Sequence, residues 1–293
     1  MATVPLAPVL VTGSTGNVGR EVVRALTALG VPFVAAGTDP LKVAAQLGEG
    51  VKTVRLGFNE PASFADAVRG MRGLFLLRPP AIGNVKDTLN VLVDAAISAG
   101  VEHIAFLSVD GADRQKWVPH HAVEQHLLAR GVSATLLRAG FFAQNLGDAY
   151  RRDIVEHDEV YLPAGKGKAA FVDVRDVAEL AARSFVEPEL RRSAWTLTGP
   201  QVLGFDEVAA ALTASTGRQI RYRRASILGY LFHLRRQGLS WGHSAIQTLL
   251  HVGLRFGNAG KVDPALERLL GHPSHTVRQY IDDHVRRWDV KKS

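Results

Sequence analysis

Two hydrophobic patterns alternate along the first half of the chain. Short strand-like runs recur at 9–11, 33–36, 52–55, 73–77, 104–107 and 134–137. Stretches with apolar residues three and four positions apart, typical of helices, lie at 20–26, 62–70, 84–100 and 120–130. Because strands that alternate with helices form parallel sheets covered by helices on both faces, this pattern predicts an α/β fold with a doubly wound parallel sheet.

The pattern changes after residue 145. Strand-like runs at 160–163 and 170–172 flank a turn of glycine and lysine, and later runs predict a helix at 173–186, a strand at 195–197 and a helix at 205–217. The last seventy residues have a helical pattern interrupted by glycines. We predict a larger domain at residues 1–150 and a smaller, mostly helical C-terminal lobe at residues 151–293, interleaved with the sheet rather than independent of it.

Glycines follow the first strand at a spacing of three residues. Gly13, Gly16 and Gly19 lie between a strand-like run and a helical stretch, which is the context of a dinucleotide-binding turn. In such a turn the first glycine allows a tight bend, the second allows the backbone to approach a pyrophosphate, and the third allows close packing of the helix. The N–H groups at the helix start then face the phosphates. The predicted nucleotide site also includes the residues between the glycines, Thr15, Asn17 and Val18.

Composition is that of an ordinary globular protein and excludes several kinds of site. Of 293 residues, 46% are hydrophobic and 22% are charged. The chain has no cysteine, so disulfides, thiolate nucleophiles and cysteine-ligated metals are excluded. The histidines lack metal-ligand spacing, and we expect no metal. Since no leader-like or bilayer-spanning segment is evident, we expect a cytoplasmic protein without a membrane partner.

The net charge of +7 is concentrated near the C-terminus. Residues 1–217 contain 21 basic and 23 acidic side chains, whereas residues 218–293 contain 14 basic and 5 acidic ones. Such a segment either binds nucleic acid or an acidic ligand, or is a solvated, arginine-rich surface. We favour the solvated surface and expect no nucleic-acid partner, because the arginines are not interleaved with exposed aromatic residues.

Six short motifs, in this order, resemble the NmrA-like branch of the atypical short-chain dehydrogenases/reductases. They are TGSTGNVG at 12–19, LLRPP at 76–80, PHHAVE at 119–124, LRAGFFAQNL at 137–146, FVDVRDVA at 171–178 and LTGP at 197–200. The resemblance implies a Rossmann-type domain that binds NADP or NAD, with Leu77, Arg78 and Pro79 at the cofactor, and a substrate cleft roofed by the C-terminal lobe. Similar proteins range from reductases of quinones, dyes and plant phenolics to regulators that bind the cofactor without turnover.

Two departures from the family pattern leave the choice between NADP and NAD open. Similar sequences have an arginine, which would bind a 2′-phosphate, at the position of Thr38. Asp39 either accepts a hydrogen bond from a ribose hydroxyl or caps the following helix, and Lys42 is a further candidate for a phosphate. The chain also differs from the usual Gly-Asp at residues 56–58, so its adenine pocket is expected to differ.

The tyrosine–lysine pair of ordinary short-chain dehydrogenases is absent, because no tyrosine is followed four residues later by lysine. His120, near the position of a catalytic lysine in isoflavone-reductase-like relatives, is the candidate general acid. Glu124 lies one helical turn further on and would orient or charge the imidazole. Alternatively, the two residues only stabilise the start of the helix. Ser108 ends the fifth strand and is expected to line the nicotinamide pocket.

Aromatic and amide side chains follow the sixth strand and provide the candidate substrate site. The residues expected to border the substrate are Phe141, Phe142, Gln144 and Asn145, and those expected to close an apolar cavity from the lobe are Leu228, Phe232 and Trp241. The alternative is that at least half of the aromatic side chains belong to the core.

Together these features predict an NAD(P)H-dependent reductase that transfers a hydride to a hydrophobic carbonyl, quinone or enone, working as a monomer or homodimer. Two alternatives stay open. One is an NAD(P)-sensing regulatory protein without turnover, and the other is a non-redox enzyme, such as a cyclase or dehydratase, on the same fold. An enclosed apolar cleft beside His120 would favour an enzyme, whereas a large exposed apolar patch would favour the sensor.

Overall fold

The computed structural model describes residues 8–257 and 259–289 of the chain. Its strands are β1 (Val9–Val11), β2 (Phe33–Gly37), β3 (Thr53–Arg55), β4 (Gly73–Leu77), β5 (His103–Val109), β6 (Ser133–Ala139), β7 (Phe141–Phe142), β8 (Glu159–Leu162), β9 (Lys168–Val172), β10 (Ser193–Leu197), β11 (Val202–Gly204) and β12 (Arg221–Arg224). Its α-helices are α1 (Asn17–Ala28), α2 (Pro40–Leu47), α3 (Phe64–Val68), α4 (Leu89–Ser98), α5 (Pro119–Arg130), α6 (Arg151–His157), α7 (Val174–Arg183), α8 (Phe205–Thr216), α9 (Ile227–Arg236), α10 (Trp241–Gly253), α11 (Ala265–Leu270) and α12 (Val277–Asp283).

The first of two compact units falls within Met1–Ala139 and Val174–Leu197 and contains a seven-stranded sheet. The strand order is β10-β6-β5-β4-β1-β2-β3, and every neighbouring pair is parallel. From β1 the chain builds outward through β2 and β3, and it then returns to β4 on the other side of β1. Such a reversal opens a crevice at the carboxyl ends of the strands, where ligands of open α/β sheets bind.

Helices cover both faces of this sheet, because its central strands β1 and β4 are apolar and buried along most of their length. Helices α1 and α7 pack against each other, while α3, α4 and α5 pack in succession. The core beneath the second group is built from buried leucine, isoleucine and phenylalanine, including Leu74, Leu76, Ile104 and Phe106. The predicted fold class, a doubly wound parallel sheet of Rossmann type, is confirmed. The predicted strand at 195–197 joins this same sheet as its edge strand β10.

The second unit falls within Gly140–Asp173 and Thr198–Ser293. It contains a three-stranded sheet in the order β11-β9-β7, a parallel pair of β8 and β12, and the helices α6 and α8–α12. Its core is aromatic: Tyr150, Phe171, Phe205, Tyr280 and Trp288 are almost fully buried. The two units interleave along the chain, which leaves the first unit at residue 139 and returns to it for residues 174–197.

The second unit contains a strand at a position for which the sequence predicted no element. This strand, β12, lies almost entirely between the helix predicted at 205–217 and the helical pattern predicted for the last seventy residues, and in it Tyr222 pairs with Val160 and Arg223 with Tyr161. The Arg-Tyr-Arg-Arg sequence carries no strong strand signal, so the pairing with β8 decides its conformation. A substrate-binding role for residues 151–293 stays a prediction.

Residues 1–7, on which the expectation of no leader rests, lie outside the described part of the chain. Within the described residues, no helix combines the length and the apolar character that crossing a bilayer requires.

Candidate active site

The glycine-rich turn joins β1 to α1 through backbone geometry that only glycine supplies easily. Gly13 has a φ angle of +59°, in the left-handed region. A Cβ atom at Gly19 would lie 2.2 Å from the carbonyl oxygen of Gly13, so a side chain there would push α1 away from the turn. Gly16 is the N-cap of this 12-residue helix, and no side chain caps it. The turn thus presents backbone N–H groups at the positive end of a helix, the arrangement that binds a pyrophosphate.

Two buried hydroxyl groups, which were not among the predicted site residues, fix this turn by hydrogen bonds to the neighbouring strands. Thr12 Oγ1 donates to the carbonyl of Phe75 at 3.0 Å and accepts from the N–H of Leu77 at 3.1 Å. Ser14 Oγ donates to the carbonyl of Ala36 at 3.0 Å. The hydroxyls therefore tie the turn to β4 on one side of β1 and to β2 on the other. The available signal was a hydroxyl residue directly after an apolar strand, where an apolar residue would continue the sheet.

Helix α2 begins where the adenosine end of a dinucleotide would be expected. Asp39 caps it by accepting hydrogen bonds from the N–H groups of Leu41 and Lys42 at 3.1 and 3.2 Å. These bonds lower the pKa of Asp39, and the bond from the N–H of Lys42 makes the largest contribution. Lys42 Nζ also lies 3.5 Å from the Asp39 carboxylate. Asp39 therefore caps α2, while contact of Asp39 with a ribose stays a prediction. Thr38 is exposed at the end of β2, with no arginine in its place.

Arg78 organises the loop that follows β4. Its Nη1 donates to the carbonyls of Pro79, Pro80 and Ile82 at 3.2, 3.3 and 2.6 Å. Its Nε lies 3.4 Å from Nε2 of His120. Since a guanidinium only donates, Nε2 is the accepting nitrogen of the imidazole. The structure thus brings together Arg78 and His120, which the sequence placed in separate roles.

His120 is buried and uncharged at neutral pH. Burial, reinforced by the charge of Arg78, lowers the pKa of the imidazole to about 3. With Nε2 accepting from Arg78, the ring proton resides on Nδ1, which has no hydrogen-bond partner among the described residues. An imidazole that stays neutral cannot hold the proton of an imidazolium acid at pH 7. The general-acid role expected for His120 stays a prediction, and its proton would have to come from Nδ1 of a neutral ring.

The expected pair of His120 with Glu124 is not formed. Glu124, although one turn along α5, directs its fully buried carboxylate toward Ser108 and Arg138. Ser108 Oγ donates to Oε1 at 2.5 Å, and Arg138 donates to both oxygens at 3.1 and 2.7 Å. An arginine that donates two hydrogen bonds and carries a charge offsets the desolvation cost of a buried carboxylate better than a neutral imidazole does. Arg138, which the sequence did not single out, also lies 3.5 Å from Asp113.

The aromatic residues after β6 are largely core of the second unit. Phe141 contacts the rings of Phe171 at 5.3 Å and Phe205 at 6.2 Å. Gln144 is buried and donates to Asp173 at 2.9 Å. These contacts favour the core alternative for Phe141. Contact of Phe141, Phe142 and Asn145 with substrate stays a prediction.

The residues expected to close a cavity from the lobe are exposed instead. Leu228 and Phe232 lie on α9, Trp241 begins α10, and all three are about half exposed or more. The rings of Phe232 and Trp241 are 5.9 Å apart. They thus belong to an outward-facing surface of the second unit.

The NmrA-like family model matches residues 7–282 of the chain. The chain belongs to the NmrA-like family. An NAD(P)H azoreductase of Xenophilus azovorans is 35% identical over 220 residues, which cover 73% of this chain and 76% of the azoreductase. Quinone oxidoreductase 2 of Escherichia coli is 28% identical over 278 residues, covering 93% of this chain and 97% of that protein.

Solved structures agree with this membership. An NADPH-dependent quinone oxidoreductase from Escherichia coli, crystallised with NADPH, matches with a TM-score of 0.83 and 28% identity over 95% of this chain and 99% of that chain. The triphenylmethane reductase of a Citrobacter species, crystallised with NADP(H), has the same fold, with a TM-score of 0.83 and 24% identity over 94% of this chain and 99% of that chain.

The turn of this NmrA-like protein fits a dinucleotide by its own geometry. Gly13 has a left-handed conformation, Gly19 approaches the turn closely, and Gly16 and Asn17 are exposed at the start of α1, which is the backbone geometry of a phosphate-binding turn. Thr15 lies in this turn, whereas Val18 is buried in the first turn of α1; contact of either residue with the cofactor stays a prediction. Within the described part of the chain, no group of three acidic or histidine side chains is placed to hold a metal ion.

Proposed function

We propose that the protein is an NAD(P)H-dependent reductase whose acceptor is a hydrophobic quinone or a related electron-poor dye. The observation that carries this proposal is the phosphate-binding geometry of the glycine turn, at the switch point of a parallel sheet. The names of the azoreductase and of quinone oxidoreductase 2 support the acceptor class. When bound, the reduced nicotinamide would supply the hydride.

The chain's own residues then bind the nucleotide, position the reactants and exclude water from them. The N–H groups at the start of α1 hold the diphosphate, and Thr12 and Ser14 keep the turn fixed between its neighbouring strands. Arg78 fixes the loop after β4. With His120 uncharged, we propose that the proton that completes reduction comes from water, which suffices for an acceptor as electron-poor as a quinone.

The assay that tests this function is oxidation of NADPH by the purified protein, followed with a benzoquinone, an azo dye and a triphenylmethane dye. We expect turnover with at least one of the three acceptors and none without an acceptor. Tight nucleotide binding with no turnover on any of them would overturn the proposal in favour of the NAD(P)-sensing alternative. Absence of nucleotide binding would instead favour the non-redox enzyme.

We further propose that the protein works in the cytoplasm, as a monomer or homodimer, without a nucleic-acid partner. The absence of cysteine suits any redox compartment, including a reducing one. Several arginines of the basic segment already pair with carboxylates, as Arg223 does with Glu159 and Arg224 with Asp206. Such pairs leave fewer free cations for a phosphate backbone.

His120→Ala is expected to lower kcat by less than tenfold. The reason is that a neutral imidazole, with a pKa of about 3, delivers no proton as imidazolium near pH 7; loss of a true general acid would cost about 10²–10⁴-fold. The pH profile of kcat in the wild type should therefore show no inflection from His120 between pH 5 and 8. Steady-state kinetics with a benzoquinone across this range provide the measurement.

His120→Gln is the matched control, since its amide can accept the hydrogen bond from Arg78 while it cannot titrate. We expect both variants to keep the wild-type pH profile. A hundredfold loss of kcat in His120→Ala, together with loss of an inflection near neutral pH, would restore the general-acid role.

Thr38→Arg is expected to shift cofactor preference toward NADPH by about ten- to a hundredfold. An arginine–phosphate bond is charge-assisted and worth roughly 1.5–3 kcal/mol, and position 38 is exposed at the end of β2, next to the capped start of α2. The ratio of kcat/KM for NADPH and NADH provides the measurement. Lys42→Gln is the control. If the wild type already prefers NADPH more than a hundredfold and the Lys42→Gln variant does not, Lys42 and not residue 38 binds the 2′-phosphate.

A further inference from the structure

Helix α10 reverses the usual orientation of an amphipathic helix. Its buried residues are Ser244, Thr248 and His251, all of them polar. Its solvent side carries Ile246, Leu249 and Leu250, among others, each about 60% exposed. Between Trp241 and Gly253 there is no Asp, Glu, Lys or Arg. A helix at an ordinary water-facing surface has the opposite distribution.

Hydrogen bonds within α10 satisfy polar groups on its buried side, and a bond from Tyr150 ties that side to the core of the second unit. His251 Nδ1 donates to the carbonyl of Gln247 at 2.6 Å, and its Nε2 accepts from the buried hydroxyl of Tyr150. Thr248 Oγ1 donates to the carbonyl of Ser244 at 2.7 Å. Burial lowers the pKa of His251 to about 4, consistent with a neutral ring in this position. The apolar side is therefore directed outward by the packing of the second unit itself.

Helix α9 and the turn after α10 extend this apolar surface, here named the α9–α10 face. Its members are Ile227, Leu228, Phe232, Trp241, Ile246, Leu249, Leu250 and Phe256, which are between 44% and 77% exposed. The two helices pack against each other, and Phe232 contacts Trp241 between them. Single exposed hydrophobic residues are normal on a protein surface, whereas eight large ones on two contacting helices and the turn after them mark an interaction surface.

Cationic side chains accompany the α9–α10 face, and neither helix contains an acidic residue. Residues 208–262 contain seven arginines and one lysine and no acidic residue at all. Arg223 and Arg224, earlier in the same stretch, pair with Glu159 and Asp206, whereas the arginines at the face itself are Arg235, Arg236 and Arg255. Arg235 stacks over Trp241, with its guanidinium carbon 4.8 Å from a ring centroid. Arg236 and Arg255 flank the face, and neither forms an ion pair with a carboxylate among the described residues. A binding partner of this face must therefore offer an apolar region to the exposed hydrophobic residues and negative charges to the arginines beside them.

We propose that the α9–α10 face binds the surface of an anionic lipid bilayer. Leucine, phenylalanine and tryptophan would enter the boundary between head groups and acyl chains, while the arginines would contact the lipid phosphates. A second copy of the chain is less suitable, because a two-fold interface would bring the same cationic rims together. This proposal departs from the expectation of no membrane partner, and it needs no spanning segment. It also gives the exposed apolar patch, which the sequence analysis associated with a cofactor-sensing protein, an occupant that is compatible with a reductase.

Flotation of the full-length protein with large unilamellar vesicles tests the proposal at low ionic strength. Vesicles of phosphatidylcholine alone are compared with vesicles of phosphatidylcholine and phosphatidylglycerol. We expect a partition coefficient at least about tenfold higher on the anionic vesicles, and a decrease as salt is added. Because the readout does not depend on NADPH or an acceptor, its outcome is separate from that of the proposed reductase activity.

Two pairs of variants locate the contact. Leu249→Gln should lower the partition coefficient by about tenfold, and Arg236→Gln should lower it by about fivefold. The matched controls are Leu128→Gln on α5, where the leucine is 61% exposed against 62% for Leu249, and Arg69→Gln, at an exposed arginine outside the face. Both controls should bind vesicles as the wild type does.

Three results would overturn the proposal. The first is that the wild-type protein does not float with anionic vesicles. The second is that Leu249→Gln and Leu128→Gln partition equally onto them. The third is a doubled mass in light scattering that Leu249→Gln abolishes, without vesicle association, which would assign the face to a second copy of the chain.

Discussion

Gly16→Val is expected to weaken NADPH binding by at least about a hundredfold while the protein stays folded. Gly16 has an extended conformation, with φ −79° and ψ 175°, that any residue adopts. A Cβ there meets only the carbonyl oxygen of Gly13, at 3.3 Å. The branched side chain would instead occupy the space before the first N–H groups of α1, and losing two charge-assisted hydrogen bonds of roughly 1.5 kcal/mol each accounts for the factor. Calorimetric titration with NADPH, alongside circular dichroism, provides the measurement.

Two other glycines separate loss of binding from loss of fold. Gly19→Val should lose thermal stability as well, because its Cβ would collide with the backbone of Gly13 at 2.2 Å. Gly242→Val, where a Cβ meets nothing within 4 Å, should bind NADPH as the wild type does. If Gly16→Val kept its affinity for the nucleotide, the glycine turn would not be the phosphate site, and the proposed function would lose the observation that carries it.

Arg138→Met is expected to lower the free energy of unfolding by about 3–5 kcal/mol. The substitution removes the charged partner of Glu124, whose side chain is fully buried, and leaves Ser108 as its remaining hydrogen-bond donor in this cluster. Leaving one member of a buried ion pair without its partner typically costs this much, since the remaining charge is not resolvated. Urea unfolding followed by circular dichroism provides the measurement, with m-values compared to detect changes in cooperativity.

A double-mutant cycle and an exposed pair serve as controls. Glu124→Gln combined with Arg138→Met should be less destabilised than Arg138→Met alone, because no buried charge is then left unpaired. Arg69→Met, which breaks an ion pair with Asp66 in which both side chains are more than 70% exposed, should change stability by less than about 1 kcal/mol. Equal losses in Arg69→Met and Arg138→Met would show that the buried network does not stabilise the fold as proposed.

Much of the first unit could be predicted from the sequence, since its signals are local. Strands such as β4 are continuous apolar runs because helices cover both faces of the sheet, and the glycines of the β1–α1 turn are required by one φ angle and one close backbone contact. The cap of α2 by Asp39 is likewise a contact between residues two and three positions apart. Such features depend on neighbours in sequence, so a single chain carries their pattern.

The sequence therefore determined the parallel sheet, the nucleotide-binding turn and the membership motifs, whereas the tertiary structure decided the partners of the polar side chains. Helical spacing allowed Glu124 to face His120, but the fold brings Arg138 from β6, and a buried carboxylate is stabilised more by an arginine than by a neutral ring. The same holds for β12, which pairs with β8, a strand about sixty residues earlier in the chain. Helix α10 has both a polar and an apolar side, and the tertiary structure buries the polar one, where His251 accepts a hydrogen bond from Tyr150.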